Sequence, residues 1–461
     1  MIEFNGNKAE NIKIAYIGGG SRGWAWKLMT DLAMADDISG EVALYDIDYE
    51  ASKKNEIIGN RIKDMEECKS VWKYTATDTI DEALYGADFV VISILPGTFD
   101  EMYSDVHTPE KYNIYQAVGD TTGPGGIIRA LRTIPMYEVI AKAIEKNCPE
   151  AWVINYTNPM SVCVSALYKV FPKIKAFGCC HEVFGTQKLL AKMLSEMCGI
   201  ENVCREEIIT NVVGVNHFTW ITSAQYRNID LFPLYKEFCL KYAKDGYKNG
   251  GDDNWMNNSF QCEEKVKMDL FLRYGVIAAA GDRHLAEFCN KTWYLDSREQ
   301  VSEMHFALTG VDYRKENQRI KNEKSERMAK GEEKFEFSNS GEDGVNQIRA
   351  LLGLHNFITN INIPNIGQIP NLPQGVVVES NAAFRANSAR PIFAGEVPVV
   401  LYPMIARLAG EQELIVRAGL ERNFDLAFQA FLQDPLCSGV TISQAKKLFD
   451  EMIENTKAYL W

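Results

Sequence analysis

The stretch from Ile12 to Asp46 decides the fold. It reads IKIAYIGGGSRGW, then a helical run, then VALYD. The apolar strand runs into the spacing G-x-G-x-x-G, formed by Gly18, Gly20 and Gly23, and the second strand ends at Asp46, which is the layout of a dinucleotide-binding βαβ unit. Gly18 allows the tight turn, Gly20 lets a pyrophosphate approach the helix N-terminus, and the Asp46 carboxylate can accept a hydrogen bond from a ribose hydroxyl. We therefore predict a nucleotide site that favours NAD over NADP.

Two alternatives to this interpretation stay open. Arg22 lies inside the glycine loop, where its guanidinium could bind the 2′-phosphate of NADP. A glycine-rich turn between strand and helix also occurs in α/β proteins that bind no nucleotide. The agreement of strand, loop, helix, second strand and terminal acid favours the nucleotide site.

Length, composition and charge agree with a large α/β protein. The 461 residues, 46% of them hydrophobic, predict two domains or one domain with a large extension. No stretch reaches the ~20 apolar residues of a membrane helix, and the N-terminus has no signal-peptide pattern. The eleven cysteines lack a repeating spacing and read as reduced thiols, so we expect a cytoplasmic protein. The net charge of −13 argues against a nucleic-acid partner, although a local pocket could still bind an anion.

Strands and helices alternate through the first half of the chain. Apolar, β-branched runs predict the buried strands of a parallel sheet at 13–17, 41–45, 88–95, 152–156 and 176–179. A charged stretch at 315–336 predicts a solvated helix or excursion, and from Glu342 the pattern is mostly helical. We predict an α/β fold with a Rossmann-type, lactate/malate dehydrogenase-like dinucleotide-binding domain at 1–200. A mixed α/β domain with C-terminal helices should follow at 201–461.

Two polar segments can hold a ligand. The segment GDTTGPGG at 119–126 precedes a helix, and its glycines and hydroxyls can cradle a nicotinamide or a sugar, unless it is only a structural loop. The segment NYTNP at 155–159 ends a strand, at the edge where open α/β sheets bind ligands. Asn158 can donate to and accept from a sugar diol, or it can cap the next helix. We predict that Asn158 contacts the substrate.

A cysteine and a histidine follow two other predicted strands. Cys180 lies in CCHE and His217 in NHFTW, so a thiolate and an imidazole could share one divalent ion. Two residues 37 positions apart (217 − 180) are weak evidence for a metal when taken alone. Such a site would leave coordination positions open for substrate or water, which suits catalysis.

The segment AGDRHLAE at 280–287 places four ionisable residues within six positions. Clusters of this kind shift pKa values when they lie in a cleft. The alternative is the start of a solvated helix with Asp282 as its N-cap. The residues alone do not decide between these interpretations.

Taken together, these segments resemble glycoside hydrolase family 4, the NAD- and Mn²⁺-dependent glycosidases. The resemblance extends from about Lys13 to about Asp434 and rests on IGGGS, GDTTGPGG, NYTNP, CHEV, VNHF and AFQAFLQDPL. It implies that Cys180 and His217 bind the metal, that His181 lies near the leaving-group oxygen and that Asp282 is the base. The implied cofactor contacts are Gly18, Gly20, Ser21, Gly23, Asp46 and Asn155. The resemblance implies a substrate contact at Asn158, and we also predict substrate contacts at Asp120, Arg283 and His284.

The motif around Cys180 indicates the branch of the family. Members that act on phosphorylated sugars look like C-N-x-P or C-D-x-P here, whereas this chain has CHEV and resembles the branch for unphosphorylated α-glycosides, most closely the α-galacturonidases. The resemblance implies oxidation at sugar C3 by NAD, loss of the C2 proton, elimination of the aglycone, addition of water and reduction. The base of the phosphate-specific branch is a Tyr that has no clear match here. A uronide carboxylate would need a cation or an array of hydrogen-bond donors, for which Arg283, His284 and Arg129 are candidates. The alternative is that these residues form salt bridges with acidic neighbours, and the sequence does not choose between the two.

Other functions remain possible from the sequence. An α-glucosidase or α-galactosidase of the same family would use the same residues. A plain NAD-dependent hydroxy-acid dehydrogenase would accumulate NADH, but it needs no metal pair such as Cys180 and His217. A non-catalytic NAD-binding regulator would not need the catalytic set. We expect a small sugar or oligosaccharide substrate and a homodimer or homotetramer.

Overall fold

A ten-stranded sheet forms the centre of the computed structural model, which describes residues 2–248, 262–338 and 340–461. Six of its strands are parallel, in the order β7-β6-β5-β2-β3-β4. This is the doubly wound order of two mononucleotide-binding halves, and it confirms the predicted Rossmann-type domain. The strands are β2 (Lys8–Ile17), β3 (Ile38–Tyr45), β4 (Trp72–Thr77), β5 (Phe89–Ile92), β6 (Trp152–Asn155) and β7 (Lys175–Gly178), and β1 (Glu3–Asn5) pairs with β2.

Helices cover both faces of these parallel strands. The central strand β5 is apolar along its whole length because both of its faces are covered, and all four of its residues, FVVI, are buried. The helices are α1 (Trp24–Met34), α2 (Tyr49–Ile62), α3 (Ile80–Leu84), α4 (Phe99–His107), α5 (Gly123–Asn147), α6 (Met160–Val170) and α7 (Glu182–Cys198).

The second half of the chain returns to the same sheet. Strands β12 (Phe357–Pro364), β13 (Val377–Arg385) and β14 (Ser388–Pro391) extend it antiparallel, with Asn362 opposite Gly178 of β7. The mostly helical pattern expected from Glu342 is therefore wrong here. The inward side chains of these strands include amides and acids rather than only apolar groups, which hides the strand pattern.

A smaller antiparallel sheet follows the first domain. Strands β8 (Ile208–Val215) and β9 (Phe218–Tyr226) form a hairpin around the two-residue loop Asn216–His217, and β10 (Ile229–Asp230) and β11 (Ile277–Ala278) pair with β9. The helices of this half are α8 (Leu231–Tyr242), α9 (Lys265–Tyr274), α10 (Asp282–Phe288), α11 (Lys291–Tyr294), α12 (Arg298–Glu303), α13 (Val311–Lys330), α14 (Gly344–Leu351), α15 (Tyr402–Leu420), α16 (Phe424–Gln433) and α17 (Ile442–Thr456).

The two halves share one hydrophobic core. Helix α15 packs directly on α5, and a β-carbon on Gly419 would lie 2.5 Å from the side chain of Ile134. The division at residue 200 stays a prediction, because the sheet and this core both cross it. Among the described residues, no helix combines the length and the apolar character that a membrane crossing would need.

Candidate active site

The glycine loop after β2 is tightly folded against its neighbours. The amide groups of Gly18 and Gly19 both donate to the carbonyl of Tyr45, at 2.9 and 2.8 Å. Gly18 has φ +95°, and a β-carbon there would lie 2.0 Å from the carbonyl oxygen of Ser93. Only glycine fits this position, as the predicted tight turn requires.

Asp46 faces the same loop. Its Oδ2 accepts from the amide of Gly20 at 2.9 Å and its Oδ1 from the amide of Asp48 at 3.0 Å. Burial raises the pKa of Asp46, although these bonds oppose the shift. Arg22, the possible ligand of a 2′-phosphate, instead lies 3.5 Å from Asp48. Asp46 therefore lies against the glycine loop, its role as ribose acceptor stays a prediction, and the guanidinium of Arg22 already has an acidic partner.

The turn after β6 presents Asn158. The Asn155 side chain accepts from the hydroxyl of Tyr137 and the amide of Thr157 and donates to the Thr157 carbonyl. Asn155 was predicted to contact the cofactor. Its side chain instead makes its hydrogen bonds within the protein, where they stabilise this turn. The Asn158 carbonyl accepts from Arg129 Nε at 3.0 Å, whereas its side-chain Oδ1 is buried without a partner among the described residues. That oxygen is available to a ligand, as predicted for substrate contact.

Three elements bring together a group that can hold a metal. Ligand atoms of Asp120, His217 and His284 all lie within 4.8 Å of one another, and the two imidazole centroids are 3.9 Å apart. Thr121 Oγ1 donates to Asp120 Oδ1 at 2.7 Å and lies 2.9 Å from His217 Nδ1. One carboxylate oxygen and two imidazole nitrogens suit a divalent transition metal such as Mn²⁺. Asp120 and His284, which we predicted as substrate contacts, thus lie with the predicted metal ligand His217.

The electrostatics of this group favour the forms that bind metal. Burial and the neighbouring His284 lower the pKa of His217 to about 3, so its imidazole is neutral. Burial opposes ionisation of Asp120, but Arg129 and His284 outweigh it and hold the pKa of Asp120 below its usual range. Likewise the nearby histidines outweigh burial and lower the pKa of Glu182 to about 2. Neutral imidazoles beside ionised carboxylates are what metal coordination requires.

Cys180, the other predicted metal ligand, lies outside this group of three. It is buried, and burial together with Glu379 and Glu182 raises the pKa of its thiol well above the usual value. A metal would have to displace that proton. The role of Cys180 as a ligand stays a prediction.

Glu379 on β13, for which the sequence predicts no role, links the regions around the two predicted metal ligands. Its carboxylate accepts from Thr219 Oγ1 at 2.8 Å, Asn216 Nδ2 at 3.3 Å and Asn360 Nδ2 at 2.7 Å. Asn360 also donates to the Cys180 carbonyl at 3.2 Å. Nothing in the local sequence VVESN marks this residue, because its partners come from two other strands, β9 and β12, and from the loop that precedes β9.

The loop at 119–126 is held from two distant elements. Glu287 accepts from the amides of Val118 and Gly119 at 2.8 and 2.9 Å. Asp434, in the AFQAFLQDPL run, accepts from the amide of Gly123 at 2.8 Å and from Thr122 Oγ1. These carboxylates fix the backbone around Asp120.

His181 begins the turn into α7 and is about half exposed. Its Nδ1 lies 2.9 Å from Glu342 Oε1, and its Nε2 lies 3.8 Å from Glu182 Oε1. The hydrogen bond with Glu342 raises the pKa of His181, against the effect of burial. The ring of Trp24, which follows the glycine loop, is 6.4 Å away. An imidazolium beside the nucleotide loop suits the predicted proton donor.

Asp282 is fully buried at the first position of α10. Its Oδ1 accepts from the amide of Lys267 at 3.0 Å, and its Oδ2 has no partner among the described residues. Its ligand atoms group with those of Cys262 and Glu264, apart from the His217 group. Burial and Glu264 raise its pKa to about 7. The helix is not capped by Asp282, since Gly281 precedes it as N-cap. The pKa suits a general base, and this role stays a prediction.

Arg283 is engaged with the backbone. Its Nε donates to the Ala307 carbonyl at 2.9 Å and its Nη2 to the Ala117 carbonyl at 2.7 Å. Arg283 was predicted to contact the substrate carboxylate. Through these two hydrogen bonds, Arg283 connects the segment before α13 to the segment before Asp120.

The family follows from two sequence-family matches. Residues 13–196 match the model of a family 4 glycosyl hydrolase, and residues 212–437 match the C-terminal domain of the same family. The chain belongs to family 4 of the glycosyl hydrolases. The resemblance found in the sequence is confirmed.

Relatives within family 4 cover the whole chain. An alpha-galacturonidase of Thermoanaerobacterium saccharolyticum is 59% identical over 459 residues, covering 100% of this chain and 98% of that protein. The crystal structure of a proposed glucosidase from Bacillus subtilis is 51% identical, with a TM-score of 0.91, covering 96% of this chain and 100% of that one. A 6-phospho-β-glucosidase from Thermotoga maritima, solved with manganese, NAD⁺ and glucose-6-phosphate, shares the fold at 23% identity and a TM-score of 0.77, covering 98% and 99%.

Proposed function

We propose that this family 4 enzyme hydrolyses α-galacturonides with NAD and Mn²⁺. The observation that carries the proposal is the Asp120–His217–His284 group, which combines with the NAD-type glycine loop in one chain. The 59% identity to an alpha-galacturonidase over the full chain supports the substrate. A plain dehydrogenase would not need this group of metal ligands.

The residues present fit both cofactors. Gly18, Gly20 and Asp46 would hold NAD, and His217 with its two neighbours, together with Cys180, would hold the metal. Bound NAD and metal supply a reversible oxidation at sugar C3 and polarise the sugar oxygens, which acidifies the C2 hydrogen.

The protein's own groups carry the proton transfers. Asp282 takes the C2 proton, and its raised pKa makes it a base near neutral pH. His181 gives a proton to the leaving oxygen on C1, while Glu342 holds its Nδ1. The Asn158 Oδ1 accepts from a sugar hydroxyl. The enzyme works on a small sugar or oligosaccharide in the cytoplasm, as a homodimer or homotetramer.

A substrate panel tests the proposal. The purified enzyme with NAD, Mn²⁺ and reductant should cleave 4-nitrophenyl α-galacturonide in preference to the α-glucoside, α-galactoside, α-glucuronide and a 6-phosphorylated glycoside. Preference for a neutral sugar would agree with the proposed mechanism but contradict the proposed α-galacturonide substrate. Hydrolysis in D₂O should place deuterium at C2 of the released sugar. Stoichiometric NADH without hydrolysis would point to the dehydrogenase instead.

Glu342→Gln should impair proton donation by His181. Because the Glu342 bond raises the pKa of His181, its loss should move the alkaline limb of the kcat/KM profile to lower pH. The rate should fall by about 10-fold on a glycoside with a poor leaving group and less on the 4-nitrophenyl substrate. Glu336→Gln, at an exposed acid that pairs with Lys324, serves as control. An unchanged pH profile in Glu342→Gln would contradict this role.

A further inference from the structure

Helix α13 is nearly all polar, yet it packs across the nucleotide-binding half. It was predicted only as a solvated helix or excursion. Arg61 Nη1 donates to the Met328 carbonyl at 2.7 Å, and Lys54 pairs with Glu326, so the helix is fixed to α2. The inward residues Val311, Ser325 and Met328 are buried. A stripe at helical spacing therefore faces the protein.

Two cations lie on this inward stripe, seven positions and two turns apart. They are Arg314 and Lys321, both partly buried. Four of the other five basic residues on the helix pair with acids, such as Arg319 with Glu316 at 2.7 Å. Neither Arg314 nor Lys321 has a carboxylate within ion-pair distance in the described part of the chain. Two partly buried cations without an ion-pair partner lack the compensation that partly buried charges normally have.

Lys321 lies over the glycine loop. Its Nζ is 3.3 Å from the position that a β-carbon on Gly23 would take, immediately before the first turn of α1. Lys27, a like charge, acts on it electrostatically. Burial and Lys27 lower the pKa of Lys321. An anion bound at this point would offset both the burial of the Lys321 charge and its repulsion by Lys27.

The first turn of α13, which carries Arg314, follows a segment bonded to the approach to the substrate loop. The amide of Thr309 donates to the Ala117 carbonyl at 3.1 Å, and Arg283 bridges the carbonyls of Ala117 and Ala307. These bonds place the start of α13 against the segment that leads to Asp120. The Arg314 charge is close enough to lower the pKa of Asp120, Arg129 and Arg283 alike.

We infer that the inward face of α13 provides one cation for each of two anionic ligands. Lys321 binds a phosphate of the dinucleotide, and Arg314 binds the carboxylate of the sugar. The second assignment rests on the proposed function. Arg283, whose donors join two loops, positions the start of this helix, and the carboxylate contact belongs to Arg314.

Calorimetric titration with NAD, ADP-ribose and adenosine tests Lys321. Lys321→Met should weaken NAD and ADP-ribose by about 10-fold, the loss expected for a charge-assisted bond, and should leave adenosine, which has no phosphate, unchanged. Lys321→Arg should retain most of the affinity. Lys324→Met, at an outer lysine that pairs with Glu336 at 2.6 Å, is the matched control. Equal NAD affinity in wild type and Lys321→Met, or an equal loss for adenosine, would overturn the assignment.

Titration with galacturonate and galactose in the presence of NAD tests Arg314. Arg314→Gln should weaken galacturonate by about 10-fold or more, leave galactose unchanged and leave the NAD affinity intact. Arg319→Gln, on the outer face of the same helix, is the control. Unchanged galacturonate affinity, or an equal loss for both sugars, would overturn the Arg314 assignment. Failure of the wild type to cleave any galacturonide would overturn the proposed function, which the panel above detects separately.

Discussion

His217→Ala should abolish glycoside hydrolysis and weaken Mn²⁺ binding by roughly 100-fold or more, since losing even an outer partner of a metal ligand costs 10- to 100-fold. The substitution leaves Asp120 and His284 as two donors around an enlarged space. Binding of Mn²⁺ can be followed by the electron paramagnetic resonance of the free ion, independently of turnover. His355→Ala, at a partly buried histidine before β12, should leave metal binding and activity unchanged.

The same titration separates the possible ligand sets. Asp120→Asn and His284→Ala should each weaken Mn²⁺ binding if the group of three coordinates the ion. Cys180→Ser should do so if the thiol also takes part. Unchanged Mn²⁺ affinity in His217→Ala would contradict the metal site itself.

Arg132→Met should produce the largest loss of stability. Arg132 and Asp105 are fully buried and bonded twice, with Nη1–Oδ1 at 2.9 Å and Nη2–Oδ2 at 2.5 Å. Removing the arginine leaves a buried carboxylate without its counter-charge, which costs about 3–5 kcal/mol in the free energy of unfolding. The Asp105 carbonyl accepts from Gln116, and Gln116 accepts from the amide of Gly125, so the substrate loop should loosen as well.

Urea denaturation of three variants measures this effect. The double variant Asp105→Asn with Arg132→Met removes both charges and should recover part of the loss. Lys446→Ala breaks an exposed pair with Asp450 and should cost less than about 1 kcal/mol. A loss in Arg132→Met no larger than in Lys446→Ala would show that the buried pair contributes little.

The sequence predicts the nucleotide-binding half well because local signals there agree with the tertiary structure. The central strand β5 is apolar throughout, and Gly18 has the positive φ that its turn requires. The strands β12 to β14 were missed because Asn360, Asn362 and Glu379 point inward. Buried polar residues that bond to other strands break the apolar pattern on which strand prediction depends.

The sequence singles out candidate residues for the site, but it does not fix the role of each residue. Asn158, His181 and His217 follow strands or turns at the ligand-binding edge, where a pattern can find them. Asp120 and His284 join His217 only through folding, so the sequence could not separate metal from substrate contacts. Supporting groups such as Glu342 and Glu379 have no local motif, since their partners lie far away in the chain.

Because β12 and β13 extend the sheet that the first half of the chain begins, this sheet cannot be completed until the second half has been synthesised. When the ribosome has made β7, the edge of the sheet at Gly178 is still uncovered, and β12 and β13 emerge roughly 180 residues later. At ~5–20 residues per second this interval lasts on the order of ten seconds or more. During that time the nascent first half carries an open strand edge, which is a template for pairing between chains. Growth at high expression levels should therefore demand chaperone protection until the last strands have been translated.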